Sequence, residues 1–292
     1  MSRLLIVDGH AYAYRAFHAI RELRAPDGRP TNAIYGFVKM LEKMRATVQP
    51  THLMVVWDGG LSAERLTALP EYKAQRPEMP TDLRPQLAEL ESFLAAAGIA
   101  SHRADGVEAD DYIASLARRA AAESWDVVIA SSDKDFLQLV SERIGLLNPN
   151  DKTGAIWGRD QVLAKTGVEP GQVADWLALM GDAVDNIPGV PGVGPKTATD
   201  LLKQFGTLEN LLARLDEVKS EKLRQSLRAS VAVVIRNQKV VRLPEVPCEL
   251  VPEELEMHSG NRLELRRLLA GWGFKGMLAA LEVPEAKQAE LI

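Results

Sequence analysis

The sequence predicts an α/β fold, a mainly parallel twisted sheet flanked by helices, followed by a smaller all-helical region. Three short apolar runs rich in β-branched residues, Leu4-Leu5-Ile6-Val7, Leu53-Met54-Val55-Val56-Trp57 and Val127-Val128-Ile129-Ala130, have the pattern of strands covered on both faces. Stretches of helical periodicity lie between them, the alternation expected of a parallel sheet. After about residue 168 the strand signal disappears and helical patterns dominate.

In order, the first run ends at Asp8 and the second at Asp58. Leu83, Leu87, Leu90 and Leu94 then recur at helical spacing after Thr81, a candidate N-cap, and the pattern stops at Gly98. Ile113, Leu116, Ala117 and Ala120 form the next stripe, before the third run and the segment Ser131-Ser132-Asp133-Lys134-Asp135. Farther on, Pro188-Gly189-Val190-Pro191-Gly192-Val193-Gly194-Pro195 is a glycine- and proline-rich connection. It is expected to join a helix ending near Asp185 to one running from about Thr197 to Phe205. Leu265, Leu268 and Leu269, then Met277, Leu278 and Leu281, read as packing faces, and fraying is expected from about Pro284. The resulting division is an α/β domain over 1–168 and a helical domain over 169–292.

Composition removes several function classes. No apolar stretch approaches the roughly 18 residues of a membrane span, and the first apolar run is broken by Asp8, so no export signal is visible and the cytoplasm is the expected location. Cys248 is the single cysteine, which excludes an intrachain disulfide and a Cys-rich zinc site. His10, His18, His52, His102 and His258 lack metal-ligand spacing and read as surface or packing residues. Any metal must therefore be held by oxygen.

The acids are placed with purpose. Asp8 and Asp58 directly follow two strands and Asp133 lies just beyond a third, and ligands of open α/β sheets gather at the carboxyl ends of the strands. Asp135 extends the third group. Glu108, Asp110 and Asp111 open the Ile113 helix, and Asp182 and Asp185 are spaced to share one turn. Singly, each reads as a turn or cap residue. Converging carboxylates repel, however, and hard divalent cations neutralise them, with Mg²⁺ or Mn²⁺ favoured over zinc by oxygen-only ligation. Two such ions about 4 Å apart suit in-line displacement at phosphorus. The net charge of −5 argues against a polyanionic partner, yet discounting these nine acids leaves 31 of the 40 against 35 Lys and Arg.

Through Leu4-Leu5-Ile6-Val7-Asp8-Gly9 with Arg15-Ala16, Asn32-Ala33-Ile34-Tyr35-Gly36-Phe37, Glu108-Ala109-Asp110-Asp111 and Ser132-Asp133-Lys134-Asp135, the chain resembles the 5′ nucleases, which include the flap endonucleases and the N-terminal nuclease domain of bacterial DNA polymerase I. The most specific motif runs from Gly181-Asp182-Ala183-Val184-Asp185-Asn186-Ile187 through the glycine-rich connection to Lys196-Thr197-Ala198. It implies a PIN-like sheet with a helical arch, and two Mg²⁺ or Mn²⁺ ions. One metal group would comprise Asp8, Asp58, Glu108, Asp110 and Asp111, and the other Asp133, Asp135, Asp182 and Asp185. Lys73 and Arg76 match catalytic cations of the arch, with Arg65 and Tyr72 as DNA contacts beside them and Arg15 as another. The segment Asp58-Gly59-Gly60-Leu61-Ser62-Ala63-Glu64-Arg65 departs from the family pattern, which has a small residue after the Asp and an aromatic before the Arg.

Gly189, Gly192, Gly194 and Lys196 form a candidate helix-hairpin-helix grip on duplex DNA. Glycine admits close backbone approach, and the helix start behind Pro195 offers free N–H groups to phosphate; the resemblance adds a K⁺ ion on the loop carbonyls. The implied activity is cleavage of 5′ flaps and 5′-to-3′ exonucleolysis at nicks, gaps or overhangs in replication and repair, with a separate DNA polymerase as partner, since none follows Ile292. Two other readings are a catalytically weak DNA-junction module and a ribonuclease on the same kind of sheet. Retention of all nine acids opposes the first, and the length and the glycine-rich hairpin oppose the second.

Overall fold

A computed structural model describes residues 2–282, and the segment from Pro284 lies outside them. In chain order the elements are β1 (Arg3–Asp8), α1 (Gly9–Ala19), α2 (Asn32–Val48), β2 (His52–Val56), α3 (Ala63–Ala68), α4 (Arg84–Ala96), β3 (Ala100–His102) and α5 (Ala109–Ala122). There follow β4 (Asp126–Ala130), a 3₁₀ turn (Lys134–Leu139), β5 (Ile144–Leu147), β6 (Ile156–Trp157), α6 (Arg159–Thr166) and α7 (Val173–Met180). The remainder is β7 (Gly181–Asp182), β8 (Ile187–Pro188), α8 (Pro195–Phe205), α9 (Leu208–Ala213), α10 (Glu221–Ala229), α11 (Val231–Val241), α12 (Pro252–Leu255), α13 (Arg262–Trp272) and α14 (Lys275–Glu282). Among the described residues no helix is long and apolar enough to cross a membrane.

The chain forms two compact units, neither continuous in sequence. One contains residues 2–57, 79–102 and the described residues from 251 onward. Its strands run parallel in the order β3-β2-β1, with Leu5 opposite Leu53 and Met54 opposite Ala100. Leu4, Leu5, Ile6 and Val7 are fully buried, as expected of strands that bury both faces. On α2, Ile34, Phe37, Val38, Leu41 and Met44 recur at helical spacing and are all buried. Thr31 gives α2 no side-chain cap; instead the buried Gln86 of α4 accepts the Ala33 N–H at 2.8 Å. Phe93 of α4 packs against Trp272 of α13, so the late packing face around Leu268 and Leu269 belongs with the first strands.

The other unit contains residues 58–78 and 103–250. In it β4 and β5 pair in parallel, with β6 antiparallel beside β5. The helix expected to end near Asp185 ends at Met180. Gly181 takes φ 77 and ψ 177, which a helix cannot continue. The chain then folds back as the two-residue ladder of β7 and β8, with Asp182 opposite Ile187. Glycine is required at this crossing, because a Cβ on Gly189 would lie 2.1 Å from the Met180 carbonyl oxygen. Asn237 of α11 is fully buried and donates to the carbonyls of Ala178 and Pro188, fastening α7 to the ladder.

Candidate active site

One unit holds eight of the nine acids singled out by the sequence, in two groups. The first is built where α5 begins. Glu108 is the N-cap residue, in extended conformation, and Asp110 and Asp111 occupy the first turn. Glu108 is 1% exposed and accepts four donors: the Ser62 N–H at 3.1 Å, Arg65 Nη1 at 2.8 Å, the Tyr72 hydroxyl at 3.2 Å and Lys73 Nζ. Burial alone would raise its carboxyl, but Lys73 and Arg65 outweigh burial and hold it below the ordinary range. Arg65 also grips Asp111 with two nitrogens, at 2.8 and 2.6 Å, and donates to the carbonyls of Val240 and Arg242. Burial nevertheless keeps the Asp111 carboxyl above its usual value.

Asp58 enters through its loop. Gly59 donates to the Val107 carbonyl at 3.0 Å and accepts from the Gly106 N–H at 2.9 Å, so the Asp58 loop runs beside the one leading into Glu108. Each glycine has its own physical cause here: a Cβ on Gly59 would meet the Ala104 carbonyl oxygen at 1.8 Å, and Gly60 has φ +131.

The second group joins the 3₁₀ turn to the β7–β8 ladder. Asp133 caps the turn and accepts the Asp135 N–H at 2.9 Å. Asp182 pairs with Lys134 at 2.9 Å, and Asp185 with Arg76 at 2.6 Å. Asp135 differs from these, because its buried Oδ1 has no hydrogen-bond partner. Burial, then Asp133, Asp185 and Asp182, push its carboxyl well above the usual range, and burial with Asp185 and Asp182 raises Asp133 too. Lys134 escaped notice in the sequence, although a cation set between two acids in Asp133-Lys134-Asp135 was a readable signal.

Lys73 stands between the groups. Its ammonium bonds Glu108 and lies 3.9 Å from Asp110, while its N–H donates to the Asp185 carbonyl at 3.0 Å. Burial opposes its charge; Asp110, Glu108 and Asp185 outweigh burial and preserve it. Tyr72 lies beneath this ammonium, its ring centroid 4.8 Å away. Arg65 and Tyr72, which the resemblance assigns to DNA, are 6% and 4% exposed and face the acids instead. The expected arch segment holds only α3, followed by turns to Gln75.

Asp8 lies in the other unit, where it caps α1 by accepting the Ala11 N–H at 3.0 Å, and Arg15 is exposed on that helix. In the connection, Gly192 has φ +83 and Gly194 an extended backbone, and a Cβ at either would meet open space. Lys196 is exposed on the first turn of α8, whose N-cap Gly194 has no side chain to occupy the free N–H groups.

The donor set fits a hard divalent cation. Every candidate ligand is a carboxylate, one buried oxygen is orphaned, and burial together with the neighbouring carboxylates raises Asp133 and Asp135. Among the described residues no three such side chains close into a ready-made shell. Lys73, Lys134, Arg65 and Arg76 instead hold the carboxylates, the arrangement that self-neutralisation favours.

The fold recurs in known proteins. Residues 3–167 match the model of the 5′-3′ exonuclease N-terminal resolvase-like domain, and residues 168–262 that of the 5′-3′ exonuclease C-terminal SAM fold. A 5′-3′ exonuclease of Aquifex aeolicus is 38% identical over 284 residues, covering 97% of this chain and 96% of that protein. DNA polymerase I of Bacillus caldotenax is also 38% identical, over 289 residues; the match covers 98% of this chain and 33% of the polymerase, so the chain spans about a third of that relative. The T5 5′-exonuclease with divalent metal ions (zinc) bound superposes with a TM-score of 0.69 at 28% identity, covering 83% of this chain and 90% of that one. Matched by both domain models and by an exonuclease whose length it covers almost completely, the chain belongs to the 5′-3′ exonuclease family.

Proposed function

We propose that the chain is a structure-specific 5′ nuclease that hydrolyses DNA phosphodiester bonds at 5′ flaps and, exonucleolytically, from 5′ ends at nicks and gaps. The observation that carries this reading is the pair of acid groups on either side of Lys73, one containing an orphaned buried carboxylate oxygen. The T5 5′-exonuclease with its divalent ions supports it. The test is purified chain on labelled flap, nicked, single-stranded and RNA-primed duplexes, with Mg²⁺ or with EDTA. Flap cleavage with Mg²⁺ alone is expected; inertness on every substrate, or equal cleavage in EDTA, would refute the proposal.

Asp58, Glu108, Asp110 and Asp111 would hold one ion, with Asp8 joining them by resemblance, and Asp133, Asp135, Asp182 and Asp185 a second. Bound there, Mg²⁺ or Mn²⁺ supplies positive charge at the attacked phosphate and an acidified water. The chain's own part is to present acceptor oxygens from rigid elements and to keep two cations at their edge. Arg76, half-exposed, is within reach of a phosphate, and Lys73 lies deeper, between the groups. Lys73→Ala and Arg76→Ala are each expected to slow cleavage of substrates with a free 5′ strand by roughly 10- to 100-fold. Plain-duplex binding should change little. Equal losses in cleavage and duplex affinity would make them general phosphate contacts.

We further propose that residues 1–168 carry catalysis, completed by Asp182 and Asp185, and that the rest of 169–292 grips the duplex, with the connection around Gly192 and Gly194 against the DNA backbone and a K⁺ ion on its carbonyls. A separate DNA polymerase is the proposed partner, and the cytoplasm, where such DNA lies, the proposed compartment. Gly194→Val should fold normally, because its Cβ meets nothing and its φ is ordinary, yet weaken duplex binding at every sequence. Lys196→Ala should lower the salt slope of binding by roughly one ion. Affinity against salt for two unrelated duplexes decides: an unchanged slope, or a loss confined to one sequence, would remove the loop from the interface.

A further inference from the structure

Two non-glycine residues of the site have left-handed backbones, Lys73 with φ 56 and Asn186 with φ 57. Side chains disfavour that region, and asparagine tolerates it better than lysine. Lys73 therefore needs external support, and the contacts of residues 71–76 identify it. The Lys73 N–H donates to the Asp185 carbonyl at 3.0 Å, Arg76 donates to the Asp185 carboxylate at 2.6 Å, and Asn186 Nδ2 donates to the Glu71 carbonyl at 2.7 Å. The turn carrying the lysine is thus stapled to the turn carrying the aspartate. Of the three, only the bond from Asn186 does not end on Asp185, itself a candidate metal ligand.

We propose that Asn186 is a positioning residue, whose side-chain amide holds the 71–76 turn so that Lys73 keeps its left-handed backbone and its ammonium stays between the two acid groups. The bond acts through Glu71, two residues before Lys73, whose carbonyl also accepts the Ala74 N–H within the same turn. Losing the amide donor frees one end of the turn while the bond from Lys73 to Asp185 remains. Displacement of the ammonium by an ångström is enough to cost a large factor in rate. This inference rests on the nuclease reading for its kinetic consequences and on geometry alone for its structural ones.

The alternative is that an asparagine stands here only because the turn needs a left-handed residue. Asn186→Gly keeps that backbone and removes the amide; Asn186→Asp keeps the shape but presents an acceptor to the Glu71 carbonyl. Both are expected to slow single-turnover flap cleavage about tenfold or more while duplex affinity and melting temperature stay near those of the parent. In a Lys73→Ala background, Asn186→Gly should cost less than about twofold further, because the group it positions is gone. Hydrogen exchange of residues 71–76 should be faster in Asn186→Gly than in the parent, a readout independent of cleavage. Parent-like cleavage by Asn186→Gly beside a slow Lys73→Ala would overturn the inference and leave the nuclease reading standing, as would full additivity in the double variant. If the parent cleaves nothing, the nuclease reading fails and exchange alone decides, with unchanged rates in residues 71–76 overturning the positioning role.

Discussion

Asp135→Asn is expected to reduce cleavage by about 10³-fold or more while making the metal-free chain more stable at neutral pH. The two effects share one cause. The Asp135 carboxyl is buried with an unpartnered oxygen, and burial followed by Asp133, Asp185 and Asp182 raises it well above its ordinary value. A carboxyl raised in the folded state contributes stability that is fully present below its unfolded pKa of about 3.9 and lost as pH rises through the folded value. The metal-free parent should therefore lose stability relative to Asp135→Asn as pH rises from about 4 toward neutrality. Asparagine keeps the shape without the charge and so removes that slope, but it is a poor ligand for a hard cation. Thermal melts of both proteins in EDTA from about pH 4 to 8, beside single-turnover rates in Mg²⁺, test both halves. A fully active variant, or parallel melting profiles, would remove Asp135 from the role given to it.

The second large effect concerns Arg65. Its guanidinium holds Glu108 and Asp111 together and satisfies the carbonyls of Val240 and Arg242, all in buried surroundings. Arg65→Ala would leave the buried Asp111 without its cation and the buried Glu108 with Lys73 alone, an arrangement that costs about 3–5 kcal/mol. Arg65→Lys should rescue little, because an ammonium cannot reproduce the planar fork across Asp111. Combining Arg65→Ala with Asp111→Asn should recover part of the loss by removing one stranded charge. Denaturant unfolding of the single and double variants reads this directly. A loss under about 1 kcal/mol for Arg65→Ala would mean that the ion pair is far more hydrated than its burial implies.

What the sequence made legible follows from the range of each interaction. β1, β2 and β4 were readable because continuous apolar runs are local, and Glu108, Asp110, Asp111 and Asp133 because a helix start and a turn cap are local signals too. The duties of Arg65 and Tyr72 were not, because burial against Glu108 depends on residues 36 to 43 positions away. The left-handed Lys73 was equally hidden, since nothing in its neighbours requires φ 56 and the support comes from Asp185 and Asn186. Helix α7 was expected to run to Asp185 because its apolar pattern reaches Met180 and the following acids suit a helix turn. The crossing of Gly181 with Gly189, a contact across the ladder, stops it. Trp272 shows the same limit at greater distance, packing on Phe93 from the far end of the chain.

Manganese binding followed by electron paramagnetic resonance tests the central claim most directly, because it counts ions without relying on catalysis. The parent should take up two Mn²⁺ per chain, and Asp135→Asn should lose one of them in step with its loss of cleavage. A parent chain that cleaves DNA while binding no Mn²⁺, or an Asp135→Asn variant that keeps both ions and remains inactive, would contradict the account.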